Sequence, residues 1–155
     1  TIQTGQGPIT LRLGGTVDRI DAKDTTLRIV DYKTGGSPKT PANIEQLFTP
    51  SESRPNYIFQ TFLYAAIMSR QQSLMVAPAL LYIHRAASEN YSPVIEMGEP
   101  RKPKIPVNNF AFFEDEFRER LQTLLEEIFS EEEPFTQTED TKKCAYCDFK
   151  AICKR

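Results

Sequence analysis

Gly15-Thr16-Val17-Asp18-Arg19-Ile20-Asp21 and Leu27-Arg28-Ile29-Val30-Asp31-Tyr32-Lys33-Thr34-Gly35 decide the fold of this 155-residue chain. In both, Val, Ile, Leu and Thr recur with polar residues between them, the alternation of a half-buried strand. Ala22-Lys23-Asp24-Thr25 between them is polar and suits a tight hairpin loop. Leu27 and Ile29 share one face of the second strand. A side-chain period of two then sets Asp31 and Lys33 on that same face. Charge that continues an apolar face calls for a chemical reason.

Hairpin register brings in a third residue. A loop of even length centred between Lys23 and Asp24 pairs Asp18 with Ile29 and Thr16 with Asp31. Asp18 then joins Asp31 and Lys33 on one face, diagonal to Asp31 at roughly 7–8 Å between Cα atoms. A loop of odd length would turn Asp18 to the opposite face. Two carboxylates beside a lysine suit Mg²⁺, which prefers oxygen ligands and is commonly held by one or two carboxylates plus substrate phosphate. Such a metal would lower the pKa of a water and polarise a phosphoryl oxygen. Lys33 could orient or deprotonate that water for attack on phosphorus and offset charge in the transition state.

Asp-x-Lys by itself occurs by chance in many chains, and a solvated hairpin end is the plain alternative. The longer pattern is more specific. It resembles the PD-(D/E)xK nuclease superfamily, and within it the RecB-like branch, where a Gly-x-Val-Asp-Arg-Ile-Asp strand precedes an Asp-Tyr-Lys-Thr-Gly strand. The resemblance implies an α/β, restriction-endonuclease-like core, a mixed central sheet flanked by helices. It makes Asp18 and Asp31 the metal-binding acids, the Tyr32 backbone carbonyl a further metal contact, and Lys33 the catalytic lysine.

A helix is expected from about Pro55 or Tyr57 to Arg70, capped by Ser53 or Asn56, with Ile58, Phe62, Ala65 and Ala66 facing the core. Gln60 and Tyr64 lie four apart on one of its faces. In RecB-like nucleases a Gln-x-x-x-Tyr helix follows the Asp-x-Lys strand and borders the active site, which adds Gln60 and Tyr64 to the implied catalytic set.

Elsewhere the pattern predicts a strand over Ile9–Leu13, a bend at Gly14-Gly15, a loop through Ser37–Pro41 and a short helix over Asn43–Phe48. Val76–Ile83 reads as a buried strand with Pro78 near its start. His84, the one histidine, reads as a structural residue at its end. Tyr91–Met97 reads as an edge strand and Gly98–Pro106 as a loop. A second helix spans about Glu114 to Ser130, with Phe117, Leu121, Leu124, Leu125 and Ile128 as its apolar stripe. Glu131-Glu132-Glu133-Pro134 ends it as a solvated acidic run.

The length fits one domain, and 39% hydrophobic with 26% charged residues fits a globular chain. Net charge is −2, so a nucleic-acid enzyme would need a local basic patch. Neither a membrane-length apolar run nor a secretory signal is apparent. The expectation is a cytoplasmic protein with reduced thiols. Beginning at Thr1, the chain reads as a piece of something longer.

All three cysteines, Cys144, Cys147 and Cys153, stand in a C-x2-C-x5-C tail. Clustered thiols of this kind suggest metal binding over disulfides, although a cluster or structural zinc normally takes four ligands. The tail resembles that of AddB-like nuclease domains. There the trio joins a fourth cysteine, upstream of the core, around a [4Fe–4S] cluster; zinc on the trio alone, or unliganded thiols, are the alternatives. The division expected is a nuclease core over 1–134 and a cysteine-rich segment over 135–155.

The resemblance as a whole implies a Mg²⁺- or Mn²⁺-dependent DNA exonuclease within a helicase–nuclease system for recombination and double-strand break repair. Its partners would be DNA and a helicase–nuclease subunit. The alternative is an inactive module that binds DNA or a partner. Many relatives carry a further acid or histidine on a helix before the first strand, and Thr1–Pro8 offers neither.

Overall fold

The structure, a computed structural model, describes residues 1–132 and 134–154; Glu133 of the predicted acidic run lies outside the described residues. β1 (Ile2–Thr4) and β2 (Gly7–Ile9) form a small antiparallel ribbon. The central sheet has the order β3-β4-β5, with β3 at Arg19–Lys23, β4 at Thr26–Lys33 and β5 at Met75–Tyr82. β3 and β4 are antiparallel, whereas β4 and β5 are parallel, so the sheet is mixed. Parallel neighbours need a long crossover. Here it carries α1 (Glu45–Phe48) and α2 (Asn56–Met68), which returns the chain to β5. A further ribbon pairs β6 (Glu96–Met97) with β7 (Ile105–Pro106), and α3 (Ala111–Ile128) and α4 (Thr141–Cys144) follow.

The hairpin register differs from the expected one by two residues. Lys23 pairs with Thr26 and Ile20 with Ile29, which leaves Asp24-Thr25 as the turn. Asp24 takes φ +53, a left-handed conformation that Asp tolerates better than most side chains. The shift is even, so every residue keeps its face. Continued by one residue, the register sets Asp18 opposite Asp31 rather than Ile29.

β3 is also shorter than expected, since residues 15–18 lie outside it. The Asp18 carboxylate meets the next inward N–H of β4 and takes the place of a ladder partner. The strand expected over Ile9–Leu13 ends at Ile9. Only Glu96–Met97 and a bridge at Val94 remain of the one expected over Tyr91–Met97, and Ile105-Pro106 is strand where a loop was expected.

One side of the sheet carries α2. Ile58, Phe62, Ala65 and Ala66 are buried against Ile29, Val76 and Leu80, as the helical spacing predicts. Among the described residues no side chain caps α2; its first turn follows Pro55, and Lys39 Nζ donates to the Ser53 and Arg54 carbonyls at 2.9 and 3.1 Å. Pro78 sits mid-strand, aligned with Ile29. β5 borders the three-stranded sheet and meets only a bridge on its other side, where a residue without an N–H is tolerated.

α3 starts earlier than its acidic first turn suggests, with Asn109 Oδ1 accepting from Ala111 N at 3.0 Å. Phe117 anchors it in an aromatic cluster, 5.3 Å from Phe48 and 5.8 Å from Phe62 between ring centroids. Ring contacts of this kind add about 0.5–1.5 kcal/mol each beyond area burial. Past Phe117 the expected stripe is only partly used: Leu121 packs on the core, but Ile128 is 44% exposed. There the helix has run past the sheet and lies beside β1, where Gln3 N donates to Glu126 Oε1 at 3.5 Å. No helix among the described residues is long and apolar enough to cross a membrane.

Candidate active site

Leu27, Ile29 and Asp31 are all buried on the α2 side of β4, and Asp31 is only 3% exposed. Asp31 Oδ2 forms an ion pair with Lys33 Nζ, their side chains 4% and 13% exposed respectively. Yet that oxygen accepts no hydrogen bond of sound geometry among the described residues. The contact is therefore one of charge, and a buried carboxylate oxygen remains without the hydrogen bonds that normally repay its desolvation.

Asp18 stands at the end of β3, where the ladder stops. Its Oδ2 accepts from Tyr32 N at 2.8 Å. Asp18 is exposed and lies one residue before the paired segment, and the register continued past Arg19–Val30 sets it on the Asp31 side of the hairpin. In a strand the N–H and C=O of one residue point to the same side. Tyr32 therefore turns its carbonyl toward Asp18 as well.

α2 supplies the other half. Lys33 Nζ donates to Gln60 Oε1 at 3.0 Å, and Gln60 Nε2 donates to the Tyr64 hydroxyl at 3.0 Å. The four-residue spacing puts both side chains on one helix face, and the amide has its oxygen toward the ammonium, the only sense in which both bonds form. Tyr64 is buried, with Gly15 pressed against it: a Cβ on Gly15 would come within 2.7 Å of Tyr64 Cε1. Tyr57, one turn earlier on α2, lays its ring over Lys33 Nζ at 4.3 Å. Tyr57 does not stand out in the sequence as part of this cluster, and Gly15 opens the Gly-x-Val-Asp-Arg-Ile-Asp stretch without any sign of its contact with Tyr64. A doubled glycine reads as a bend, and a cation over a ring has no spacing signature.

Tyr82, aligned with Lys33 on β5, is buried. Burial first, then Tyr57, Tyr91 and Asp31, push its phenol above the ordinary range. Beyond it, two adjoining cavities of 340 and 240 Å³ share Lys39, Ile58 and Tyr82, with Arg85 in the larger and Arg54 and Tyr57 in the smaller. Tyr57 thus joins the lysine to an open groove whose walls carry Lys39, Arg54 and Arg85 together with Glu52 and Glu96.

A family model described as the PD-(D/E)XK nuclease superfamily matches residues 2–154. The chain belongs to that superfamily. No curated protein and no solved structure matches it significantly. PD-(D/E)XK proteins typically use a divalent metal, and the donor set here fits one. Asp18, Asp31 and the Tyr32 carbonyl are hard oxygen donors, and Asp31 Oδ2, ion-paired to Lys33 but without a hydrogen bond among the described residues, is an atom a cation could take.

The cysteine tail does not fit its expected group as placed. Cys144 ends α4, Cys147 lies between two turns and Cys153 in a turn; all three are unbridged. Among the described residues no three His, Cys, Asp or Glu side chains are gathered to hold a metal. A [4Fe–4S] cluster needs converging thiolates, commonly four, and successive turns with Cys147 N on Cys144 O and Cys153 N on Phe149 O do not bring these three together. His84 is exposed in the turn Ile83–Arg85 and stacks edgewise on Tyr82 at 6.1 Å.

Proposed function

We propose that this chain hydrolyses DNA phosphodiester bonds with a divalent cation, Mg²⁺ or Mn²⁺, held by Asp18, Asp31 and the Tyr32 carbonyl. The observation that carries this reading is the buried Asp31 Oδ2, ion-paired with an ammonium and without a hydrogen bond among the described residues. When bound, the cation supplies Lewis acidity at the phosphoryl oxygen and acidifies a water. Lys33 directs its ammonium at the same point, where it orients the attacking water and offsets charge that develops on phosphorus. Gln60 fixes the lysine by accepting from it, and Tyr64 fixes Gln60. Arg85 along the groove suits a phosphate that flanks the scissile one.

The finer assignment is an exonuclease of the RecB/AddB type, working with a helicase–nuclease partner in recombination and break repair. It rests on the order of Asp18, Asp31-x-Lys33, Gln60-x-x-x-Tyr64 and the cysteine trio. A cluster at Cys144, Cys147 and Cys153 would require the tail to refold around it and a fourth ligand, so no step of the chemistry depends on it. Hydrolysis of end-labelled DNA with Mg²⁺, by the wild type and Lys33→Ala, tests the proposal. Loss of cleavage by at least about a hundredfold is expected. Equal cleavage would remove Lys33 from the mechanism.

A further inference from the structure

We propose that Tyr57 is a positioning residue for Lys33. With Gln60 it forms a neutral seat that keeps the ammonium at the site once a divalent cation takes Asp31 Oδ2. This inference rests on the metal-dependent reading above.

Asp31 Oδ2 has two claimants. It is the oxygen paired with Lys33, and it is the orphaned donor a cation would use. An ammonium and a divalent cation repel each other at one oxygen, so metal binding weakens the hold of Asp31 on the lysine. Two other contacts do not involve that oxygen: Gln60 Oε1 at 3.0 Å and the Tyr57 ring at 4.3 Å. The face of an aromatic ring attracts an ammonium without offering the metal another ligand. A third carboxylate there would compete for the cation, and an aliphatic side chain would not hold the lysine at all.

The ring is placed for this task. Tyr57 precedes Gln60 by three residues, so both face β4 from one side of α2. Gly36 fixes the opposite wall: it adopts φ +78, and a Cβ there would come within 3.2 Å of Tyr57 Cε2. The tyrosine is nonetheless 40% exposed. It contributes little burial to the core, and a packing role alone would not call for an aromatic residue.

The test uses the uniformly ¹³C,¹⁵N-labelled protein, observed by NMR. The ring current of Tyr57 shifts the Lys33 ε-methylene upfield in the metal-free protein. Tyr57→Leu loses that shift and Tyr57→Phe retains it. On addition of Mg²⁺ to the wild type, the Asp31 and Tyr32 backbone resonances move while the Lys33 ring shift persists. In DNA hydrolysis Tyr57→Leu lowers kcat by about two- to thirtyfold with KM unchanged, and Tyr57→Phe restores it. Bound Mg²⁺ with loss of the ring shift overturns the inference and leaves the metal site standing. So does equal behaviour of the Leu and Phe variants. Failure of Mg²⁺ to perturb Asp31 and Tyr32 overturns the metal reading and the inference together.

Discussion

The two faces of the β3–β4 hairpin treat their carboxylates in opposite ways. On the outer face Asp21 is saturated: Oδ1 accepts from Arg19 Nε at 2.7 Å and Oδ2 from Arg28 Nη2 at 2.6 Å. Arg28 first, then Arg19, hold its carboxyl below the ordinary range. On the inner face Asp31 is buried, has one ammonium beside it, and leaves Oδ2 without a hydrogen bond. Water and two guanidiniums make the first acid a surface ion pair of small worth. The second breaks the rule that buried polar atoms are satisfied. Such violations concentrate where function requires them. The proposed site is built on the buried acid with a single ammonium, not on the well-paired surface one.

The sharpest way to break the contrast is to neutralise each acid in turn. Asp31→Asn should reduce Mg²⁺-dependent DNA hydrolysis by at least about a hundredfold, whereas Asp21→Asn should leave the rate near that of the wild type. Comparable losses in both variants would erase the distinction between the faces.

A smaller effect is expected behind the inner face. Gly15→Ala places a methyl group against the buried Tyr64 ring, which supports Gln60 and through it Lys33. A small displacement of a catalytic group can cost up to about a hundredfold. The expected loss lies between that of Asp31→Asn and none, read as a fall in kcat with Mg²⁺ binding unchanged. An undiminished kcat would detach Tyr64 and Gln60 from the lysine.

The smallest effect belongs to Asp21. Its folded-state pKa is depressed, so its stabilisation is present above the unfolded carboxyl value of about 3.9 and is lost as pH falls through the folded value. In urea titrations Asp21→Asn should be slightly less stable than the wild type near neutrality. The gap should close in the acid limb and shrink in high salt. A gap that widens toward low pH would contradict the pairing.

Much of this site was legible because two periodicities govern it. Period two set Asp31 and Lys33 on the face of Ile29, and the helical repeat set Gln60 beside Tyr64. The register was off by two because no Gly or Asn marked the Asp24-Thr25 turn. The face survived only because the error was even. The apolar repeat of α3 was read as one stripe from Phe117 to Ile128, but amphipathicity does not reveal where a helix outruns its sheet, as it does before Ile128. The role of Tyr57 and the contact of Gly15 with Tyr64 were illegible for another reason: both join distant segments. The cysteine spacing was legible, but spacing alone does not make thiols converge.

Calorimetric titration of Mn²⁺ into the wild type, Asp31→Asn and Asp21→Asn bears most directly on the inner-face site. One Mn²⁺ site in the wild type and in Asp21→Asn, absent in Asp31→Asn, is the predicted result. Equal binding by all three proteins, or none by the wild type, would contradict it.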